Sequence, residues 1–242
     1  MRVHQEPGFV LHRRPYSESS WLVDIFSLHY GRLTLLAKGA RRTKSKLRGT
    51  LQSFQPLLVG WAGKGSLPVV TDAEPVSYSA PLTGSAVNCG FYVNELLIRL
   101  LHPHDPHAAL FEVYAQTLTR LNGPDAQESQ LRRFEKALLK ELGYGLALDS
   151  AADTQEPIDG ESHYRYVPER GAFKINPQDS NGLCVQGSTL LAIAKEEWVN
   201  RQELTESKRL MRAVLGHFLR GKPLHSRRMF ARQRMAKEEG GR

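Results

Sequence analysis

The sequence predicts an α+β protein: a small five-stranded barrel, then an α-helical domain with a small irregular or hairpin insertion. Three observations predict it. Short runs rich in aromatic and β-branched residues recur up to about residue 80, with turn signals between them. From Ser85 the apolar spacing changes from two residues to three and four. A stretch at 149–187, rich in Gly, Pro, Asp and Ser, interrupts the helical pattern. The implied domains are 1–80, the barrel, and 81–242, helical, with a basic C-terminal tail.

The elements follow in order. Gly8 to His12 carries Phe9, Val10 and Leu11, and Trp21 to Leu28 reads WLVDIFSL. His29-Tyr30-Gly31 is a hairpin signal, and RLTLLA (32–37) returns. FQPLLVGW (54–61) forms the fourth strand, with Pro56 at an edge or bulge, and Leu67 to Thr71 forms the fifth after a Gly63-Lys64-Gly65 turn. No helical pattern is expected before Pro81. Helices are expected at Ser85–Leu101, Ala108–Leu121 and Ser129–Leu142, the last closed by Gly143, and again at Thr189–Asn200 and Leu204–Arg220. YRYVPERGAFKI, within 149–187, reads as a small hairpin.

Charge narrows the function. The 242 residues carry a net charge of +8, a balance that favours polyanionic partners. Between the third and fourth strands, KGARRTKSKLRG holds Lys38, Arg41, Arg42, Lys44, Lys46 and Arg48 and no acid. Small five-stranded barrels commonly bind oligonucleotides on one sheet face and its flanking loops. This stretch is therefore the expected DNA contact, extended by Arg13, Arg14, Arg32 and Lys64, against the alternative of a solvated loop that only aids solubility. Of the nearby aromatics Tyr16, Trp21, Phe54 and Trp61, at most one or two are expected to stack bases, since alternate strand positions must fill the barrel.

The two cysteines, Cys89 and Cys184, cannot supply a four-thiolate zinc site, and a reduced cytoplasmic protein is expected. The N-terminus shows no signal-peptide pattern and no stretch is long enough to span a bilayer. His102-Pro-His104-Asp105-Pro-His107 mimics a metal cluster, but its prolines place it in a connection between helices. Gly60 to Ser66 fails the phosphate-loop pattern. No catalytic residue and no cofactor emerges. The C-terminal cations Lys208, Arg209, Arg212, Arg220, Lys222, Arg227, Arg228, Arg232 and Arg234 form a second basic zone.

The stretches FVLHRRPYSESSWLVDIFS (9–27), GRLTLLAKGARRTKSKLRGTLQSFQPLL (31–58), YVNELLIRLL (92–101), LRRFEKALLKELGYG (131–145) and GKPLHSRRMF (221–230) together resemble the RecO recombination-mediator family of bacterial DNA repair. The resemblance implies an OB-fold barrel, a helical domain and an activity without bond chemistry. It implies binding of single- and double-stranded DNA, annealing of complementary strands and, with RecR, loading of RecA onto DNA coated by single-strand-binding protein. It also implies docking of that coating protein's acidic, phenylalanine-ending tail, and a nucleoid-associated cytoplasmic location away from membranes. Leu131, Phe134, Leu138 and Leu142 are expected to face the core. Arg132, Lys136 and Lys140 then line an adjacent ridge with Arg133 beside them, and in the family a cation matching Arg132 belongs to the tail-docking site. By spacing alone that ridge reads as an ordinary solvated face. Many members carry four zinc-binding cysteines after the segment written here LGYG. Residues 149–161 contain none, so this region must hold its shape otherwise. Two alternatives belong to other classes: a metal-dependent nucleic-acid-processing enzyme that captures substrate with the barrel, and a pure protein adaptor.

Overall fold

The computed structural model describes residues 1–76, 80–123, 127–176, 178 and 181–226. They fall into two compact units, Met1–Asn122 together with the segment from Leu224, and Gly123–Pro223.

The first unit contains a closed barrel of β1 (Arg2–Pro15), β2 (Trp21–Ser27), β3 (Gly31–Ala37), β4 (Pro56–Ala62) and β5 (Val69–Pro75), joined in the order β1-β2-β3-β5-β4. This is the OB-fold arrangement. The strand β1 is much longer than its sequence signal. Its first half pairs with β4 and its second half with β2, and Gly8 faces both Ser27 and Leu57. One strand thus serves two sheet edges, with register breaks at Val3/Glu6 and Val10/His12. Pro56 opens β4, where a missing amide costs the ladder least. Gly31, at φ 65, ends the β2–β3 turn, and a Cβ there would sit 2.0 Å from the Asp105 carbonyl oxygen. Only glycine satisfies both constraints.

Strand β3 alternates strictly, with Leu33, Leu35 and Ala37 buried and Arg32, Thr34 and Leu36 half-buried. With Val23, Ile25, Leu57, Val59, Trp61 and Val70 they fill the barrel. Strand β2 is buried on both faces because a second layer covers it. Phe9 and Phe26 point outward onto α3 (Ala108–Leu121), with ring centroids of Phe9 5.3 Å from Phe111 and 5.0 Å from Tyr114. In the helix α2 (Ser85–Leu100), Asn94 donates to the Leu11 carbonyl at 2.8 Å and accepts from the Tyr114 hydroxyl at 2.7 Å. Leu11 lies at the register break of β1, where the ladder leaves a carbonyl to be satisfied. These contacts group α2 and α3 with the barrel.

One element escaped the sequence reading. A five-residue helix, α1 (Lys46–Thr50), closes the connection between β3 and β4. The expectation of no helix before Pro81 is corrected here: the turn is too short to show a periodic pattern, and its apolar contacts with the barrel come from Leu47 and Leu51.

The second unit holds α4 (Gln127–Glu141), a three-stranded sheet of β6 (His163–Val167), β7 (Gly171–Ile175) and β8 (Cys184–Gln186), α5 (Gly187–Lys195) and α6 (Arg201–Phe218). The hairpin expected in YRYVPERGAFKI is β6–β7. Gly143, at φ 82, closes α4: its amide bonds the Lys140 carbonyl and the Tyr144 amide that of Leu139. Residues 149–158 fold through backbone bonds from Ile158 to Asp149 and from Ala151 to Glu156, over buried Leu148, Ala151 and Ile158. No described helix is long and apolar enough to cross a membrane.

Candidate nucleic-acid interface

The basic segment is built on apolar pegs. Ala40 and Leu51 are fully buried and Leu47 packs on the barrel core, while Lys38, Arg41, Arg42, Lys44, Lys46 and Arg48 are all exposed. Burying one leucine contributes roughly 2 kcal/mol. Two unit charges 4 Å apart in water repel by only about 1 kcal/mol. The pegs therefore hold the segment against its own charge. Gly39, at φ 68, turns the chain between Lys38 and the buried Ala40.

Among the described residues, no carboxylate lies within ion-pair distance of these six cations. Arg41 differs from the others. Its guanidinium donates to the Ser17 carbonyl and its amide to the Ser19 carbonyl at 2.9 Å, tying the β1–β2 loop to the start of the basic segment. The two loops border an open pocket of about 440 Å³, lined by Tyr16, Ser17, Ser19, Leu36, Lys38 and Arg42 among others.

The flanking cations divide by role. Arg13 donates to the Leu51 carbonyl at 3.1 Å and lies over the Trp21 ring at 4.5 Å. Burial lowers its pKa, and repulsion from Arg48 lowers it further. It braces the end of α1 and adds positive field. Arg14 pairs with the buried Asp24 at 3.1 Å, and Thr34 donates to the same carboxylate. Arg32 donates to the Leu101 carbonyl at 3.2 Å. Lys64 sits exposed in the β4–β5 turn between Gly63 and Gly65.

The aromatics also separate. Trp61 is in the barrel core against Tyr30, and Phe54 packs edge-on to Phe91 at 5.0 Å. Trp21 lies under Arg13. Tyr16 alone of the four is open, at 58% exposure.

The expected ridge on α4 is corrected. Arg132 is only 5% exposed and donates to Glu135 at 2.5 Å, and Glu135 is fully buried. The helix buries Leu131, Phe134 and Leu138 and, beside them, Arg132, Glu135 and Leu139, so packing covers two stripes instead of one. Leu139 takes the fully buried place expected of Leu142. Arg133 donates to the Glu196 carbonyl at 3.0 Å, and Lys136 donates to the Ala194 carbonyl at 2.7 Å and to the Glu196 carboxylate at 3.0 Å. Both cations cap the C-terminus of α5, whose last residues leave carbonyls in need of donors. Lys140 stays exposed. Among the described residues, two buried nitrogens of Arg132, Nε and Nη1, meet no hydrogen-bond partner.

In the second basic zone, Lys208 pairs with Glu128 and Arg209 donates to the Cys184 carbonyl, while Arg212, Arg220 and Lys222 are exposed. Arg227, Arg228, Arg232 and Arg234 lie outside the described residues. The His102–His107 segment docks on β3 through a bond from the His104 amide to the Arg32 carbonyl. Among the described residues, no group of three or more His, Cys, Asp or Glu side chains is placed to hold a metal ion.

Two family models match the chain, "Recombination protein O N terminal" over residues 1–79 and "Recombination protein O C terminal" over residues 82–228. The chain is 45% identical to the DNA repair protein RecO of Aromatoleum aromaticum over 228 residues, covering 94% of this chain and 95% of that protein. It is 45% identical to the protein of the same name from Vibrio parahaemolyticus, covering 96% of this chain and 95% of that one. The corresponding protein of Nitrosococcus oceani is 44% identical, with coverage of 94% and 92%. With both models matched in sequence order and such relatives aligned along nearly its whole length, the chain belongs to the Recombination protein O family.

Proposed function

We propose that this protein acts in DNA repair and recombination as a DNA-binding mediator in the cytoplasm, at the nucleoid. It binds single- and double-stranded DNA, anneals complementary strands and, with RecR, promotes RecA loading onto DNA coated by single-strand-binding protein. One observation carries the reading: five exposed cations, Lys38, Arg42, Lys44, Lys46 and Arg48, are held on an OB barrel by buried pegs and meet no carboxylate among the described residues. Such a segment gains free energy from a polyanion, since phosphate contacts replace repulsion with attraction and release condensed counterions. Annealing needs two polyanions brought together, which a cationic scaffold achieves by lowering their mutual repulsion. No covalent step is required of the protein.

The test compares the full chain with a variant carrying Gln at those five positions, using anisotropy of a labelled oligonucleotide and the rate at which complementary strands pair. The variant should lose most of both activities while keeping its circular dichroism. Equal binding and annealing by the two proteins would remove the segment from the interface. Hydrolysis of the oligonucleotide on adding magnesium or manganese would favour an enzyme instead.

Capture of an acidic tail at α4 is a second part of the reading, favoured by Nε and Nη1 of Arg132, which meet no hydrogen-bond partner among the described residues. A buried guanidinium with unused donors is a receptor for a carboxylate. Entry requires side chains around Arg132 to shift, with Arg133 and Lys136 released from α5. An acidic peptide ending in phenylalanine should bind the native chain and not Arg132→Ala. Binding of equal strength by both would overturn this part alone.

A further inference from the structure

The pocket between the β1–β2 loop and the start of the basic segment has features that a charged strip alone does not need. Its rim carries an aromatic ring, Tyr16, at 58% exposure, where the other large rings near the barrel's basic side are packed away. The ring's backbone is fixed: the Tyr16 amide donates to the Ser20 carbonyl at 3.1 Å, so the loop closes on itself. Arg41 then ties that loop to the basic segment through the Ser17 and Ser19 carbonyls. Lys38 and Arg42, both exposed, line the same pocket. A volume of about 440 Å³ falls in the range of small-molecule sites.

We propose that this pocket takes one nucleotide of a single strand, its base stacked on Tyr16 and its neighbouring phosphates held by Lys38 and Arg42. Arg41 is a positioning residue that sets the ring against the cations. The assignment rests on the DNA-binding reading above and adds to it a means of telling strands apart. Every unpaired base offers a π-face to an aromatic platform, whereas a base in duplex is already stacked on both sides and must be extruded at a cost. Cations without a ring would bind both forms through phosphate alone.

The experiment uses the full chain and three probes: a labelled oligothymidylate, its duplex with oligoadenylate, and free thymidine monophosphate as competitor. Stacking of one base contributes on the scale of about tenfold in affinity. Tyr16→Ala should therefore weaken oligothymidylate binding about tenfold, leave duplex binding unchanged and leave the salt dependence of both unchanged. Tyr16→Trp should retain single-strand binding. An oligomer carrying 5-iodouracil should cross-link to Tyr16 on irradiation of the native chain, a readout independent of any variant's folding. Equal losses on single strand and duplex, no loss on either, or cross-links only elsewhere would overturn the proposal. Competition by thymidine monophosphate as strong as by the oligomer would also overturn it, by marking a mononucleotide pocket. If Tyr16→Ala binds normally while the five-Gln variant does not, the subsite falls and the DNA-binding reading stands. If both variants bind normally, both fall.

Discussion

Replacing Lys38, Arg42, Lys44, Lys46 and Arg48 with Gln has an effect whose size follows from their surroundings. Arg41 is left in place because its guanidinium already serves the Ser17 carbonyl. Each phosphate contacted on a single strand contributes about 0.7 to the slope of log affinity against log salt, so five contacts contribute about 3.5. Between 50 and 200 mM salt, a fourfold change, that slope corresponds to roughly a hundredfold loss of affinity in the native chain. The variant should lose that share of the dependence, its titration line becoming flatter by up to about 3.5. The measurement is anisotropy of a labelled oligonucleotide across that salt range, with the slope as readout instead of a single dissociation constant. A slope that flattens by less than about 1 would mean that the segment meets at most one phosphate, and the argument from exposed cations would be refuted. The melting temperature supplies an internal check. These side chains hold no acid among the described residues, so their neutralisation removes repulsion and should leave the midpoint equal or higher. A lower midpoint would show that the charges serve the fold.

Three further outcomes follow from single contacts. Tyr114→Phe removes the donor 2.7 Å from the buried Asn94 Oδ1 and should destabilise by about 1–2 kcal/mol; Asn94→Ala, which also strips the Leu11 carbonyl of its donor, should cost more in the same urea titration. Burial raises the pKa of Glu95, but the amides of Ser226 and His225, the Ser226 hydroxyl and Arg99 outweigh it and hold the carboxyl below its ordinary value. A depressed folded-state pKa gives stabilisation that is complete above the unfolded value and is lost as pH falls through the folded one. Hydrogen exchange at His225 and Ser226 should thus be insensitive to protonation of Glu95 near neutrality and rise relative to the intrinsic rate in acid, while Glu95→Gln should show the rise at neutral pH. Arg132→Ala removes the 2.5 Å partner of the fully buried Glu135 and should cost about 3 kcal/mol, whereas Arg132→Met with Glu135→Leu should recover most of it in the same titration.

The elements that were legible are those whose burial follows one rule along the chain. Leu33, Leu35 and Ala37 face inward and their neighbours outward, so β3 could be read directly from RLTLLA. Trp21 to Ser27 could be read as a strand but not as to face, because α3 covers the side that a lone sheet would leave wet. The first half of β1 was missed because its residues show no alternation: Arg2, Val3 and Glu6 pair with β4 some 55 residues away in sequence, and His4 and Gln5 fall in the register break between them. For α1 a signal was present: Ala40, Leu47 and Leu51 are the only apolar residues of the basic stretch and its end, and all three are pegs.

Site residues divide on a related ground. A sequence displays charge density, but the availability of a charge depends on what the fold brings to it. Lys38 to Arg48 contains no acid, and folding brings none within ion-pair distance among the described residues, so the charge read from the sequence remains at the surface. On α4 the same kind of count failed. Arg133 and Lys136 meet carbonyls and a carboxylate at the end of α5, 58 to 63 residues further on, and Arg132 is drawn inside with Glu135. Helical spacing puts Arg132 and Lys136 on one ridge, but spacing within a helix cannot say whether water or another element covers that ridge. Any tail that binds there must compete with contacts the chain already makes, whereas DNA bound at the barrel as proposed would meet cations that hold no carboxylate among the described residues. The two proposed sites should consequently differ in kind: the barrel site weakened steeply by salt, the α4 site governed by how readily Glu135 and Glu196 release their cations.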